Sequence, residues 1–151
     1  MFVVHIYVET DTAAPRNTER KVMYVLEYTR TTGELYTKDE VIKKTDTYHG
    51  VILSALETAL GRINKSCELH LHSRDEYVLS SIEKNLPVWV QNGYRTKKGD
   101  LVKDHFAWRS IQEKLKDHLL VPEPGSHSYL SWMLSEMARR DGENCGTFSN
   151  Y

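Results

Sequence analysis

Residues 67–78, CELHLHSRDEYV, decide the fold because one periodicity ends there and another begins. Apolar and polar residues alternate over 67–73, which places Cys67, Leu69 and Leu71 on one face and is typical of a β-strand. From Asp75 onward the apolar spacing becomes helical. This stretch therefore predicts a buried strand that leads directly into a helix.

The residues before this stretch predict three strands and one helix. Residues 2–9 alternate, and residues 21–29 are rich in β-branched and aromatic side chains. A TTG turn at 31–33 separates the second strand from a third over 34–43, so these two form a hairpin. Apolar residues between 52 and 63 then follow a helical stripe.

The residues after it predict helices and one short strand. Pro87 is expected to interrupt the helix that begins at Asp75. A long helix is expected over 101–118 and a short strand over 119–121. Ser128 can cap a last helix that runs to about Arg140.

This order of elements predicts an α/β fold with a five-stranded mixed sheet and helices on both faces. Helical connections favour parallel pairing of the later strands, whereas the initial hairpin adds antiparallel edges. Strand one is expected to be central and to lie beside strand four. We expect a single domain over residues 1–140 and a C-terminal tail over 141–151.

The composition argues against a strongly charged protein, a disulfide-rich protein and a membrane-spanning protein. The 151 residues are 40% hydrophobic with a formal net charge of -1, so a single core is expected and any basic surface must be local. Cys67 lies in an apolar strand-like run and Cys145 in a Gly/Asn-rich tail, which fits two free thiols better than a disulfide framework. We therefore expect the reducing cytoplasm as the location of the protein. The sequence contains no run of about 18 apolar residues, so it does not predict a membrane-spanning helix.

Three segments resemble the ribonuclease H family. Residues 69–78 are similar to the family's fourth strand entering the next helix, and residues 51–60 to its central helix. Residues 92–108, NGYRTKKGDLVKDHFAW, are similar to a Gly-aromatic-Lys-Thr segment followed by a Val-Lys-Asn-x-Asp-Leu-Trp stretch. The matching positions there are Gly93, Tyr94, Arg95, Thr96, Val102, Lys103 and Trp108. The resemblance implies a ribonuclease H-like fold.

The resemblance also implies a site where four acidic residues hold two divalent metal ions that cleave the RNA strand of an RNA–DNA hybrid. The first acid corresponds to Glu9, with Asp11 as an alternate. The second position falls on Gly50, which has no carboxylate.

The remaining two positions also lack their acids. Arg74 corresponds to the third acid, with Asp75 displaced by one residue, and Trp132 lies near the fourth position. We therefore expect a degenerate site with no bound metal and no cofactor, in which Arg74 pairs with Glu9 and supplies the positive charge.

Residues 89–103 combine cations with aromatic side chains, a mixture that can bind phosphates and stack on bases. The candidate nucleic-acid-binding residues are Trp89, Tyr94, Arg95, Thr96, Lys97, Lys98 and Lys103. The resemblance implies that this region is a substrate-binding handle. The alternative is a solvated basic loop whose aromatic residues turn into the core.

Several aromatic and histidine positions have two interpretations. His5, His70 and His72 could form a zinc site, but we favour a partly buried polar face. We expect His127 to be a solvated loop residue. The helical spacing places Trp108 and Trp132 in the core.

The sequence therefore predicts a nucleic-acid-binding pseudoenzyme with RNA–DNA hybrid or duplex as its partner. One alternative is an active, Mg²⁺- or Mn²⁺-dependent ribonuclease H that uses Glu9, Asp11 and Asp75 as substitute ligands. A second alternative is a protein-interaction module, which the near-neutral charge permits.

Overall fold

A computed structural model describes residues 2–141. The prediction of a free thiol at Cys145 and most of the predicted tail, 141–151, lie outside the described residues. Cys67 is a free thiol at 1% exposure, and burial raises its pKa to about 11. No helix among residues 2–141 has the length and apolar character needed to cross a membrane.

Strands and helices follow one another in the order that the sequence predicts. The strands are β1 (Phe2–Thr10), β2 (Thr18–Thr29), β3 (Leu35–Asp46), β4 (Cys67–Ser73) and β5 (Leu119–Pro124). The helices are α1 (Tyr48–Leu60), α2 (Glu76–Ser80), α3 (Leu86–Asn92), α4 (His105–Leu115) and α5 (Leu130–Arg139).

The five strands form one mixed sheet in the order β3-β2-β1-β4-β5. β1 pairs antiparallel with β2, and β2 with β3, whereas β4 pairs parallel with both β1 and β5. The predicted mixed sheet, with strand one central beside strand four, is confirmed. Parallel pairing brings the carboxyl ends of β1 and β4 together at one edge.

Each face of the sheet packs against helices. Val4, Ile6 and Val8 of β1 lie in the larger core, which also contains apolar residues of α1 and α4. Tyr7 lies in a smaller core on the opposite face with Met133 of α5. The alternation of β1 thus buries apolar side chains on one face and places His5, Tyr7 and Glu9 on the other.

The expectation that Pro87 interrupts the helix is wrong. A π-helical turn, Ser81–Asn85, joins α2 to α3, and Pro87 lies in the first turn of α3. Proline lacks a backbone N–H and is tolerated in a first turn. The π-helical turn changes the hydrogen-bonding register between α2 and α3, which a continuous α-helix would not do.

Two other helix boundaries differ from expectation. α4 begins at His105 rather than at 101, because Leu101 bridges to Arg95 and Asp104 adopts a positive φ of 61°. α5 begins after Tyr129, and no side chain caps it. The predicted cap, Ser128, lies one residue before the N-cap position, which Tyr129 occupies.

Candidate functional site

Glu9 lies where the carboxyl ends of β1 and β4 meet. Its side chain is fully buried, and both carboxylate oxygens accept hydrogen bonds from Arg74. The backbone N–H of Arg74 donates to Oε2 over 3.0 Å, and its Nε donates to Oε1 over 3.1 Å. The contact between Glu9 and Arg74 that the sequence predicts is therefore present.

His127 completes the surroundings of Glu9. Its Nε2 lies 2.8 Å from Oε2 of Glu9, and its side chain is only 4% exposed. The expectation of a solvated loop residue is wrong. The loop after β5 folds back over the strand ends, where the N–H of Gly125 donates to the carbonyl of Ser73 over 2.9 Å.

The two alternate acids already have partners. Asp75 is 1% exposed, and its Oδ1 accepts a hydrogen bond from the N–H of Val78 and thereby caps α2. Its Oδ2 lies 2.7 Å from Nδ1 of His49. Asp11 is exposed and accepts a hydrogen bond from the N–H of Lys21. Neither carboxylate is free to approach Glu9 without breaking these contacts.

Tyr48, in the first turn of α1, lies close enough to the site for the charges of Glu9 and Asp75 to act on its hydroxyl. Burial raises the pKa of Tyr48 to about 12, and the negative charges of Asp75 and Glu9 add to the effect. Gly50 has no side chain, and a Cβ there would lie 2.5 Å from Oδ2 of Asp46. The space that a side chain at Gly50 would occupy is therefore taken by the Asp46 carboxylate.

Thr47 caps α1, accepting a hydrogen bond from the N–H of Gly50 over 3.1 Å. Asp46 adds to this cap, because its Oδ1 accepts a hydrogen bond from the N–H of Thr47 over 2.7 Å. His49 instead pairs with Asp75, so the first turn of α1 contacts the end of β4.

The candidate nucleic-acid-binding segment presents its cations but not its aromatic rings. Its cations and Thr96 are exposed, whereas Tyr94 is 6% exposed and Arg109 lies 4.4 Å above its ring. Trp89 packs against the buried Trp108 at 5.4 Å between ring centroids. Tyr94 and Trp89 thus both turn toward the core, as the alternative interpretation of this segment expects. The exposed cations are Arg95, Lys97, Lys98 and Lys103.

A second polar cluster lies on the same face as Glu9. Nδ1 of His5 lies 2.9 Å from Nε2 of His72, which in turn lies 3.3 Å from Oε2 of Glu123. His70 bonds Glu68 at 2.6 Å and Glu123 at 3.1 Å. Sequence reasoning found the three histidines but not Glu123, because the predicted last strand ended at 121.

Burial has opposite outcomes for two of these histidines. It lowers the pKa of His72 to about 4, because the nearby Glu123 carboxylate only partly offsets desolvation and neighbouring histidines oppose a second charge. Burial also lowers the pKa of His70, but hydrogen bonds to Glu68 and Glu123 outweigh it and raise the pKa overall.

Known proteins match this chain in sequence and in structure, although no family model matches it. Ribonuclease HI of Xylella fastidiosa is 31% identical over 68 residues, which are 45% of this chain and 45% of that protein. LC9-RNase H1 superposes with a TM-score of 0.70 and 13% identity over 92% of this chain and 70% of that one. The foamy viral protease-reverse transcriptase in complex with RNA/DNA hybrid superposes with a TM-score of 0.64 and 21% identity, over 90% of this chain and 19% of that one.

The chain has the ribonuclease H-like fold. The resemblance to the ribonuclease H family seen in the sequence is thereby confirmed. The chain spans about half the length of the curated relatives that it matches. The architecture is therefore shared with these proteins, whereas the chemistry of the site depends on the side chains around Glu9 in this chain.

The side chains around Glu9 do not fit the two divalent cations of a ribonuclease H site. Such cations need several clustered carboxylate oxygens, whereas Arg74 and His127 occupy those of Glu9. The buried Arg20 adds a second guanidinium close enough to influence Tyr48. Glu9 is therefore balanced by Arg74, whereas Asp75 pairs with His49.

Trp132, which the sequence resemblance assigns near the fourth acid position, is not a core residue of this ribonuclease H-like chain. It is 41% exposed, packs edge-on against Tyr129 at 6.0 Å and lies beside the guanidinium of Arg140. The core prediction is correct for Trp108, which is 1% exposed, and wrong for Trp132. Met133 and Met137 occupy the buried stripe of α5 instead.

Proposed function

We propose that this ribonuclease H-like chain binds RNA–DNA hybrid or duplex nucleic acid and lacks two-metal nuclease activity. The observation that carries the proposal is the arrangement around Glu9, whose carboxylate is fully buried and bonded to Arg74 and His127. A guanidinium at this position repels divalent cations and takes their electrostatic place. On this proposal the chain needs no metal cofactor to bind nucleic acid.

The binding half of the proposal is supported by the fold and by the exposed basic segment. The foamy viral protein of similar fold is in complex with an RNA/DNA hybrid. Arg95, Lys97, Lys98 and Lys103 are exposed on one short segment, so each can approach a phosphate without rearranging the core. With Tyr94 and Trp89 packed inward, binding would depend on phosphate contacts rather than on base stacking.

Fluorescence anisotropy with a labelled RNA–DNA hybrid at several salt concentrations tests this surface. Replacing Arg95, Lys97, Lys98 and Lys103 by Ala should weaken binding and flatten the log–log salt dependence by about 0.9 for each duplex phosphate that is no longer neutralised. A matched control replaces Lys65, Lys84, Lys116 and Arg139, which are exposed and carry the same total charge. Equal effects of the two quadruple variants would contradict a local binding surface.

Cleavage of the same hybrid with Mg²⁺ or Mn²⁺ tests the inactive site. We expect the parent protein to leave the hybrid intact in both metals. Hydrolysis by the parent would overturn the pseudoenzyme proposal. It would favour instead an active ribonuclease H that recruits Asp11 or Asp75 beside Glu9.

A rebuilt site tests the charge argument directly. Arg74→Asp combined with Tyr48→Glu removes the guanidinium and adds two carboxylates near Glu9, where calorimetry should detect Mg²⁺ binding that the parent lacks. Gly50→Glu is the control, because its new Cβ would meet the Asp46 carboxylate and the Arg74 guanidinium stays beside Glu9. Tight binding of two Mg²⁺ ions by the parent would contradict the proposal.

A protein-interaction module is the second candidate function. It is favoured by large apolar side chains that are exposed on and around α3 and α4, with Phe106 at 79%, Val88 at 57% and Leu101 at 43%. Clustered exposed apolar residues commonly mark protein contacts. An absence of salt-dependent hybrid binding by the parent would favour this candidate over nucleic-acid binding.

A further inference from the structure

Three possible metal ligands converge on the face of the sheet beside α5. They are Nδ1 of His5, Nε2 of His72 and a carboxylate oxygen of Glu123, and all lie within 4.8 Å of one another. We propose that they form an open three-ligand site for a borderline divalent transition-metal ion, with Zn²⁺ as the reference ion. This site is separate from the Glu9 position and does not depend on the proposed nucleic-acid binding.

The sheet register explains why these residues meet. His72 of β4 is the partner of Glu123 on β5 and of Tyr7 on β1. His5 precedes Tyr7 by two residues, so its side chain points to the same face and lies diagonally opposite His72. Three neighbouring parallel strands thus each contribute one ligand, and the backbone fixes their spacing.

The distances suit a transition-metal ion. Zinc binds imidazole nitrogen and carboxylate oxygen at about 2.0–2.2 Å, which places neighbouring ligand atoms of a tetrahedral site about 3.3 Å apart. The separation between His72 and Glu123 is already 3.3 Å, and that between His5 and His72 is 2.9 Å. The three atoms lie within 4.8 Å of one another, so an ion would draw His5 and Glu123 together and replace the hydrogen bond between His5 and His72 with two metal bonds.

His70 orients the site rather than binding the ion. Its two ring nitrogens are already taken by Glu68 and Glu123 at 2.6 and 3.1 Å. It therefore holds the Glu123 carboxylate in place, as outer partners of metal ligands commonly do. Tyr7 provides a second constraint, because its ring stacks on His72 at 4.3 Å between centroids.

The ligand set also indicates which ions fit and how they enter. Two imidazoles and one carboxylate suit zinc and its transition-metal neighbours, whereas Mg²⁺ prefers oxygen ligands. The Glu123 side chain is 45% exposed, so an ion can reach the cluster from solvent. With three protein ligands, the fourth position would hold water, as in zinc sites that contain two histidines and one glutamate.

Isothermal titration calorimetry of the full chain with Zn²⁺ tests the site, with Mg²⁺ as the comparison ion. We expect one zinc ion per chain, bound at least about tenfold more weakly by each of His5→Gln, His72→Gln and Glu123→Gln. His70→Gln should weaken binding less than these three. The absorption spectrum of bound Co²⁺ provides a second readout, because the removal of each ligand should change its coordination bands.

Two controls keep the test decisive. His105→Gln removes a histidine on α4, outside the cluster, and should leave zinc binding unchanged. His118→Gln tests the alternative pair formed by His118 and Cys67, whose Nδ1 and Sγ atoms are 3.5 Å apart. Circular dichroism monitors folding, and Glu123→Gln on the exposed edge decides the outcome if a histidine variant unfolds.

Failure of the parent to bind zinc would overturn the proposal. So would zinc binding that His118→Gln abolishes and that folded His5→Gln, His72→Gln and Glu123→Gln leave intact. Nucleic-acid affinity measured with a chelator present is unaffected by either result, so failure here is distinguishable from failure of the proposed function.

Discussion

The two faces of β1 have different roles in this ribonuclease H-like chain. Val4, Ile6 and Val8 contact the large apolar core that contains α1 and α4, and this face determines how the sheet and helices pack. His5, Tyr7 and Glu9 face the other side, where polar and aromatic side chains surround a smaller core. One face of β1 therefore packs the large core, whereas the opposite face carries the polar side chains of the candidate site.

The same division applies to β4. Cys67, Leu69 and Leu71 are buried in the large core, whereas His70 and His72 join the polar cluster and Arg74 follows at the strand end. A ribonuclease H site needs acids at this end, and here a guanidinium compensates Glu9. Packing of the large core does not depend on His70, His72 and Arg74, because these side chains lie outside it.

The largest expected effect separates the two faces by stability. Trp108→Ala should lower the free energy of unfolding by about 3–5 kcal/mol, because a fully buried aromatic ring leaves a cavity in the large core. Trp132→Ala, at a 41% exposed residue on the other face, should cost less than about 1 kcal/mol. Urea unfolding measures both, and equal losses would break the comparison.

The second prediction concerns acid sensitivity of the polar face in the presence of a chelator. Burial lowers the pKa of His72 to about 4 from its usual 6.5, so between these values the unfolded chain binds a proton that the folded chain does not. Unfolding free energy should therefore fall as the pH falls from about 6.5 to 4, by roughly 3 kcal/mol in total.

Matched variants isolate this contribution. The groups acting on His72 are Glu123, His5, His127 and His70. His72→Gln should flatten the acid-dependent loss of stability. His70→Gln should steepen it, because His70 has a raised pKa and its stabilising contribution is present in acid and lost as the pH rises through the folded pKa. A parent whose stability does not change across this range would contradict the assignment.

The third prediction tests whether Glu9 is a structural ion-pair partner. Glu9→Gln should lower the free energy of unfolding by about 1–3 kcal/mol, because it weakens hydrogen bonds that connect a buried carboxylate to Arg74 and His127. In a cluster of mutually repelling acids, neutralising one would instead raise stability. Asp11→Asn, at an exposed position, is the control and should change stability by less than about 0.5 kcal/mol.

The smallest effect is expected where a polar group interrupts the apolar face. The buried hydroxyl of Tyr24 donates to Glu40 over 2.9 Å and accepts a hydrogen bond from Arg62. Tyr24→Phe should cost about 1 kcal/mol in thermal or urea unfolding, since Arg62 can still pair with Glu40. The more exposed Tyr36→Phe is the control, and an equal loss there would argue against a specific role for the buried network.

Periodicity predicted the sheet well because strands and helices bury side chains with different spacing. It placed Cys67, Leu69 and Leu71 on one face, and the parallel pairing of β1 with β4 followed from the helical connections. It failed at Pro87, since no local pattern indicates a π-helical turn. It also failed at Trp132, because helical spacing alone does not say which stripe of α5 faces the sheet.

The sequence by itself determined the element order, the mixed sheet and the pairing of Glu9 with Arg74, because these depend on local spacing and residue type. Only the tertiary structure decided that His127 bonds Glu9, that His49 pairs with Asp75, and that Glu123 joins His5 and His72. These contacts connect residues far apart in the chain. Their geometry depends on strand register and on loops folding over the sheet edge, which no local pattern encodes.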